Sequence, residues 1–336
     1  MDSKNTDRRS ALPAPMYQTD LGAAYVGDSA ELLKSLGDES IDLVMTSPPF
    51  ALQRKKAYGN EEQDTYVDWL LGFCREVHRV LKPTGSFVLD LGGAYEKGRP
   101  VRSLYNYRVL VRLCDEIGFR LAEEFFWYNP AKLPSPIEWV NKRKIRAKDA
   151  VNTVWWLSKG DWPKADVTRV LVPYSARMLK LLEDPERFYT PKKRPSGHDI
   201  GSRFGDNGGA IPSNLLEIPN TESNSPYLRL CKLAEVDGHP ARFPERLPAF
   251  FIAFLTDPGD VVLDFFAGSN TTGVAAETAG RRWLSFEART EYLAASVFRF
   301  AGDTLGEAEA VRAYRDLLKD AVAELHLRRK QGKLAL

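Results

Sequence analysis

Short apolar runs rich in β-branched and aromatic residues alternate with stretches of helical period, and this alternation restricts the fold more than any other feature of the chain. The runs are "AAYVG", "IDLVMT", "GSFVLDLG", "AEEFFWY", "AVNTVWWLS", "VVLDFFAG" and "RRWLSFE". Between several of them lie patterns such as "YVDWLLGFCREVHRVLK" and "YNYRVLVRLCDEIGF", whose apolar residues recur every three or four positions. Such alternation predicts an α/β fold with a mostly parallel sheet covered on both faces. The 336 residues, 43% of them hydrophobic, suffice for a sizeable core. The rhythm breaks between Ser158 and Val236, where eight of the 21 prolines accompany "DNGGAIPSN" and "PNTESNSP", so an irregular insertion beside the core is expected. The tail "GEAEAVRAYRDLLKDAVAELHLRRKQGK" predicts a helix whose stripe of Val311, Tyr314, Leu318, Val322 and Leu325 packs on the chain's own sheet.

Composition excludes several classes. No apolar run reaches the ~18 residues of a membrane span, and "MDSKNTDRRSALPAP" lacks the apolar region of a signal peptide, so a cytosolic protein with a flexible leader is expected. Cys74, Cys114 and Cys231 are widely spaced and form no CxxC, which supports neither a disulfide framework nor a zinc site; no metal is expected. A net charge of +2 decides nothing about nucleic acid, because local patches matter more than totals.

In open α/β sheets ligands sit beyond the carboxyl ends of the strands. Two turns qualify. In "VVLDFFAGSNTTGVAAETAG" a strand passes through a small-residue turn into a helix; Gly268 and Gly273 allow close backbone approach, and the helix N-terminus offers free N–H groups. The next strand, "RRWLSFE", ends in Glu287, where an acid can accept both hydroxyls of a ribose. The turn is not GxGxxG, since Asn270 stands where glycine is often found, and no lysine makes it a phosphate-binding P-loop. The other turn is Ser47-Pro48-Pro49-Phe50, which closes the run "IDLVMT". Its proline pair fixes two φ angles and removes two N–H donors, leaving a stiff edge of carbonyl acceptors. Beside a hydroxyl and an aromatic face, that edge suits a planar ring with an exocyclic amine, such as a nucleobase.

Together, "TSPPF", "DFFAGSNTTG" and "SFE" resemble the catalytic and S-adenosylmethionine motifs of DNA amino-methyltransferases. The catalytic motif comes first and a long irregular region separates the two, which is the permuted order of the β-group. "YVGDSAELL", "HPARFPERLP", "NPAKLPSPIEWVNKRKIR", "NTVWWLSK" and "RPSGHDIG" extend the resemblance from about Tyr17 to Phe300, and the likeness is nearest to N4-cytosine enzymes of type II restriction-modification systems. It implies a Rossmann-like, S-adenosylmethionine-dependent fold in which Asp28 meets the adenine amine and Glu287 the ribose. Asp264 and the turn Gly268, Ser269, Asn270 and Thr271 would meet the methionine end, which Pro240 of the "HPARFP" segment helps enclose. Phe265 or Phe266 would cover the adenine ring, and Asn270 fits the SNTTG form of the turn in this subgroup.

The implied substrate is a cytosine flipped out of double-stranded DNA, within CAGCTG if specificity follows the resemblance. Ser47 Oγ and a carbonyl of the Pro48-Pro49 edge would accept the N4 hydrogens while Phe50 stacks on the ring. Adenine-N6 enzymes of this kind usually carry Asp or Asn before the proline pair, so Ser47 favours cytosine N4; adenine-N6 methylation and a catalytically silent DNA-binding regulator are the alternatives. C5 methylation is rejected, because no cysteine follows a proline or ends a strand. Arg54, Lys55 and Lys56, then Lys192, Lys193, Arg194, Ser196, His198 and Arg203, are the expected DNA contacts, the latter group within the insertion. The expected organisation is a leader (1–16), a catalytic half (17–157), a target-recognition region (158–236), a cofactor half (237–303) and a C-terminal helix and tail (304–336). A monomer is expected, acting in the cytoplasm on nucleoid DNA, with a restriction endonuclease as functional counterpart.

Overall fold

The structure is a computed structural model and describes residues 11–51, 63–189, 205–221, 225–301, 305–319 and 326–327. The strands are β1 (Tyr17–Thr19), β2 (Gly22–Val26), β3 (Ile41–Thr46), β4 (Leu81–Leu91), β5 (Arg120–Tyr128), β6 (Val151–Ser158), β7 (Leu215–Glu217), β8 (Val261–Asp264), β9 (Arg282–Glu287) and β10 (His326–Leu327). The helices are α1 (Ser29–Lys34), α2 (Gln63–Val80), α3 (Tyr105–Arg112), α4 (Ala176–Glu183), α5 (Pro185–Phe188), α6 (Pro226–Leu233), α7 (Arg246–Leu255), α8 (Thr271–Thr278), α9 (Thr290–Ser296), α10 (Phe298–Ala301) and α11 (Glu307–Leu317). None is long and apolar enough to cross a membrane.

The strands form one ten-stranded sheet in the order β10-β1-β2-β9-β8-β3-β4-β6-β5-β7. Pairing is parallel from β2 through β9, β8 and β3 to β4, and antiparallel where β6 meets β4 and β5. Parallel strands are buried on both faces, and β3 accordingly has all six residues buried. Successive residues of β6 separate the two layers. Trp155 and Leu157 join α1, α2 and α3 in one core cluster, whereas Trp156 meets Phe254 of α7.

The connection from β3 through α2 leads to β4 on one side, and that from β8 through α8 leads to β9 on the other. The neighbouring strands β3 and β8 therefore mark the topological switch point, where a crevice opens at the carboxyl edge.

Two sequence expectations change. The region expected as one insertion, 158–236, is divided: Asp166–Ser213 forms a separate compact unit, and its flanks belong to the larger one. The flanks stay because they have partners there. Lys164 Nζ bonds Asp260 at 2.6 Å, β7 pairs with β5, and α6 packs on α10. Within the smaller unit Ser175 caps the N-terminus of α4, its hydroxyl accepting from Met178 N. The C-terminal stripe is also out of phase: α11 buries Ala310, Ala313, Tyr314 and Leu317, while Leu318 is exposed. It packs on α6, α9 and α10 rather than on the sheet, so its inward face is set by helix neighbours and uses small residues. Val322 and Leu325 lie outside the described residues.

Candidate active site

A cavity of about 810 Å³ lies beyond the carboxyl ends of β2, β9, β8, β3 and β4. Its lining includes Ser47, Pro48, Pro49 and Phe50 from the first turn, and Gly268, Ser269, Thr271 and Glu287 from the second. Asp28, Pro240 and Phe266 also face it. Residues far apart in the chain thus share one wall.

The end of the cavity beside Asp28 and Glu287 is built from backbone constraints. Gly27 and Asp28 follow β2, and Asp28 caps α1 by accepting from Ala30 N at 2.9 Å. Gly268 adopts φ +52°, and a Cβ there would lie 3.0 Å from the His239 ring, so the close packing of the "HPARFP" segment on the turn requires glycine. Glu287 accepts from Gly268 N and Arg289 N, each at 2.9 Å. Two of the roughly four acceptor positions of a carboxylate are thereby occupied, leaving the others for a ligand. Burial raises the Glu287 pKa above its ordinary value, against the lowering effect of those two N–H groups. Beside the turn, His239 bonds the Ala241 carbonyl through Nδ1 at 2.6 Å, and burial above all lowers its pKa to about 4, so the ring is neutral.

Three residues expected at the cofactor lie behind the cavity wall. Phe265 is fully buried in the core, stacked on Phe73, whereas Phe266 faces the cavity and leans on Trp69. Asn270, fully buried at φ +56°, caps α8 by accepting from Gly273 N at 3.1 Å, accepts from Ser285 Oγ and donates to the Tyr17 hydroxyl. A Cβ at Gly273 would lie 2.1 Å from Asn270 Oδ1, so glycine there is demanded by the cap. Asp264 is buried beneath the turn and accepts from Thr46 Oγ1 (2.6 Å), Thr272 Oγ1 (2.7 Å) and Phe266 N (3.1 Å). Burial raises its pKa to about 6 even so. Asp264 and Asn270 shape the loop from within.

At the other end the register of β3 and β4 supplies a group that the sequence reading missed. Thr46 pairs with Leu89, so the next residues, Ser47 and Asp90, fall side by side. Ser47 Oγ donates to Asp90 Oδ2 at 3.0 Å, and Asn152 Nδ2 of β6 donates to Asp90 Oδ1 at 3.1 Å. Burial raises the Asp90 pKa to about 6, partly countered by Ser47, Asn152 and Lys132. At neutral pH Asp90 is largely ionised and accepts the hydrogen bond from the Ser47 hydroxyl. The Ser47 hydroxyl then presents lone pairs to the cavity. Phe50 closes on Gly92, where an added Cβ would lie 2.5 Å from the ring, and the Tyr105 hydroxyl holds the Gly92 carbonyl.

Asp90 had one sequence signal, a carboxylate inside the apolar run "SFVLDL". Asn152 and Lys132, also on the wall, had none of comparable weight. Arg54, Lys55, Lys56, Lys192, Lys193, Arg194, Ser196, His198 and Arg203 all lie outside the described residues. None of the three cysteines lines the cavity, and no group of three or more potential metal-ligating His, Cys, Asp or Glu occurs among the described residues.

Comparison with known proteins finds relatives that span most of the chain. The chain is 62% identical over 313 residues to the type II methyltransferase M.PvuII of Proteus hauseri, covering 93% of each. It is 25% identical over 295 residues to the type II methyltransferase M.BglII of Bacillus subtilis, covering 87% of this chain and 72% of the relative. The solved PvuII DNA methyltransferase, described as cytosine-N4-specific, superposes with a TM-score of 0.75 at 54% identity, over 91% of this chain and 95% of that one. The DNA methylase family model matches residues 41–298, from β3 with its serine–proline turn to α10 beyond Glu287, and so takes in both ends of the cavity: the chain belongs to the DNA methylase family.

Proposed function

We propose that this chain is a site-specific DNA methyltransferase acting on N4 of a cytosine extruded from duplex DNA, with S-adenosylmethionine as methyl donor. The observation that carries the reading is the Ser47 hydroxyl, whose proton is engaged by Asp90 and whose lone pairs face the cavity. An exocyclic amine needs two acceptors, and Ser47 Oγ with a carbonyl of the adjoining Pro48-Pro49 edge supplies them. Held this way, the nitrogen lone pair is withdrawn from conjugation with the ring and becomes nucleophilic. Positioning then supplies much of the acceleration, and no strong general base is required.

The cavity volume, near the top of the ~300–1,000 Å³ range for small-ligand sites, fits a nucleoside cofactor and a base side by side. We assign Phe266 and Asp28 to the adenine, Glu287 to the ribose, and the Gly268–Thr271 turn with Pro240 to the methionine end. S-Adenosylmethionine, when bound, supplies an electrophilic methyl group. The chain's own part is to hold the amine, exclude water and extrude the base.

Base reading is assigned to the 158–236 region, through Arg194, Ser196, His198 and Arg203, with CAGCTG as the first sequence to test. The enzyme is proposed to act as a monomer on cytoplasmic DNA, protecting it from a cognate endonuclease. The test is to incubate plasmid DNA with the protein and S-adenosylmethionine, digest to nucleosides and identify the product by mass spectrometry. N4-Methylcytosine is expected. N6-Methyladenine would replace the reading with the adenine alternative, and DNA binding without any methylated nucleoside would make the chain a DNA-binding regulator.

A further inference from the structure

The cavity wall continues past Asp90, across β6 at Asn152, to the loop that leaves β5. That loop is tightly held. Asn129 Oδ1 accepts from Ala131 N at 3.1 Å, Lys132 N bonds the Asn129 carbonyl at 3.2 Å, and Lys148 Nζ clamps the carbonyls of Pro130 and Lys132 at 3.0 and 3.3 Å. The backbone of Lys132 is thereby fixed, and the half-buried residue lies on the cavity wall. Its charge reaches Asp90, yet its ammonium has no ion-pair partner among the described residues, while the neighbouring Lys148 is engaged.

We propose that Lys132 is the residue that selects cytosine, donating from Nζ to the carbonyl O2 of the extruded base. The inference rests on the reading that N4 sits at Ser47. Glu287 and Gly268 lie on the β8 and β9 side of Ser47, so the rest of the base must extend toward β4, β6 and β5, where Lys132 waits. Along the edge that begins at the amine, cytosine presents N3 and then O2. Adenine presents N1 and then C2–H, which leaves a desolvated ammonium without an acceptor. Lys132 therefore favours one base and penalises the other.

The test uses the full chain, wild type and Lys132→Met, on duplexes carrying cytosine or 2-thiocytosine at the target position, where sulfur replaces O2 by a poor acceptor. Losing one charge-assisted hydrogen bond should lower kcat/KM on cytosine about tenfold to a hundredfold, mainly through KM. On 2-thiocytosine the same substitution should cost less than about threefold, because the contact is already lost. Lys132→Arg should recover part of the loss, and S-adenosylmethionine affinity by calorimetry should be unchanged in both variants. Equal losses on the two substrates would assign Lys132 to the DNA backbone and overturn the proposal, as would unchanged kinetics or weakened cofactor binding. Failure of the wild type to methylate cytosine at all would instead refute the function proposed above.

Discussion

Replacing Asp90 by asparagine should separate activity from stability in opposite directions. Asp90 is fully buried, and burial raises its pKa from 3.8 to about 6, which is roughly 3 kcal/mol against the ionised form in the fold. Because the folded value lies above the unfolded one, the native state holds the proton more tightly. Stability contributed by this group therefore declines as pH rises from about 4 to about 6 and is level above that. Asp90→Asn removes the penalty, so at pH 7.5 the variant should melt no lower than wild type; the gain is bounded by that ~3 kcal/mol and reduced by weaker bonds to Ser47 and Asn152. Methyl transfer should nevertheless fall about tenfold to a thousandfold, the range for one misplaced hydrogen bond at a reacting atom. An amide cannot accept from both Ser47 Oγ–H and Asn152 Nδ2–H as they now stand, so the Ser47 lone pairs lose their fixed direction. The assay is single-turnover methylation from pH 5 to 9, paired with calorimetric melting. Wild-type turnover should drop as pH falls through about 6, and the variant should lack that step. A variant within threefold of wild type at pH 7.5 would refute the claim that Asp90 orients Ser47.

Three further outcomes are expected. Ser47→Ala should slow single-turnover transfer about tenfold to a thousandfold while calorimetry shows S-adenosylmethionine bound as tightly as before, since the hydroxyl lies away from the nucleoside end. Glu287→Ala should weaken that binding, because it removes the ribose acceptor and the carboxylate that ties Gly268 N and Arg289 N together, while DNA affinity at fixed salt stays unchanged. Phe265→Ala and Phe266→Ala should behave differently: the first empties a fully buried site and should cost about 3–5 kcal/mol in denaturant unfolding, whereas the second should chiefly reduce cofactor affinity.

What the sequence by itself determined is whatever depends on neighbours along the chain. Periodicity within a few residues marks strands and helices, so the alternation from "AAYVG" to "RRWLSFE" was enough to locate seven of the strands and both turns that line the cavity. Proline and glycine chemistry is local in the same way: the Pro48-Pro49 edge needs no partner to be stiff, and Gly268 already marked a close backbone approach. What only the tertiary structure decided is which side of each element meets what. Phe265 and Phe266 are equivalent in pattern, and only the turn that follows β8 sends one into the core and the other to the cavity. Asn270 looked like a ligand contact, but Tyr17 and Ser285 from other strands draw its amide inward. The phase of α11 followed from the helices it packs on, because its sequence offers two overlapping apolar stripes, Val311, Tyr314 and Leu318 or Ala310, Ala313, Tyr314 and Leu317, and its periodicity does not choose between them. Asp90 stands 43 residues from Ser47, and a one-residue slip between β3 and β4 would put its carboxylate on the other face of the sheet. The pairing that orients the serine is a property of strand register, which is fixed only when the whole sheet closes.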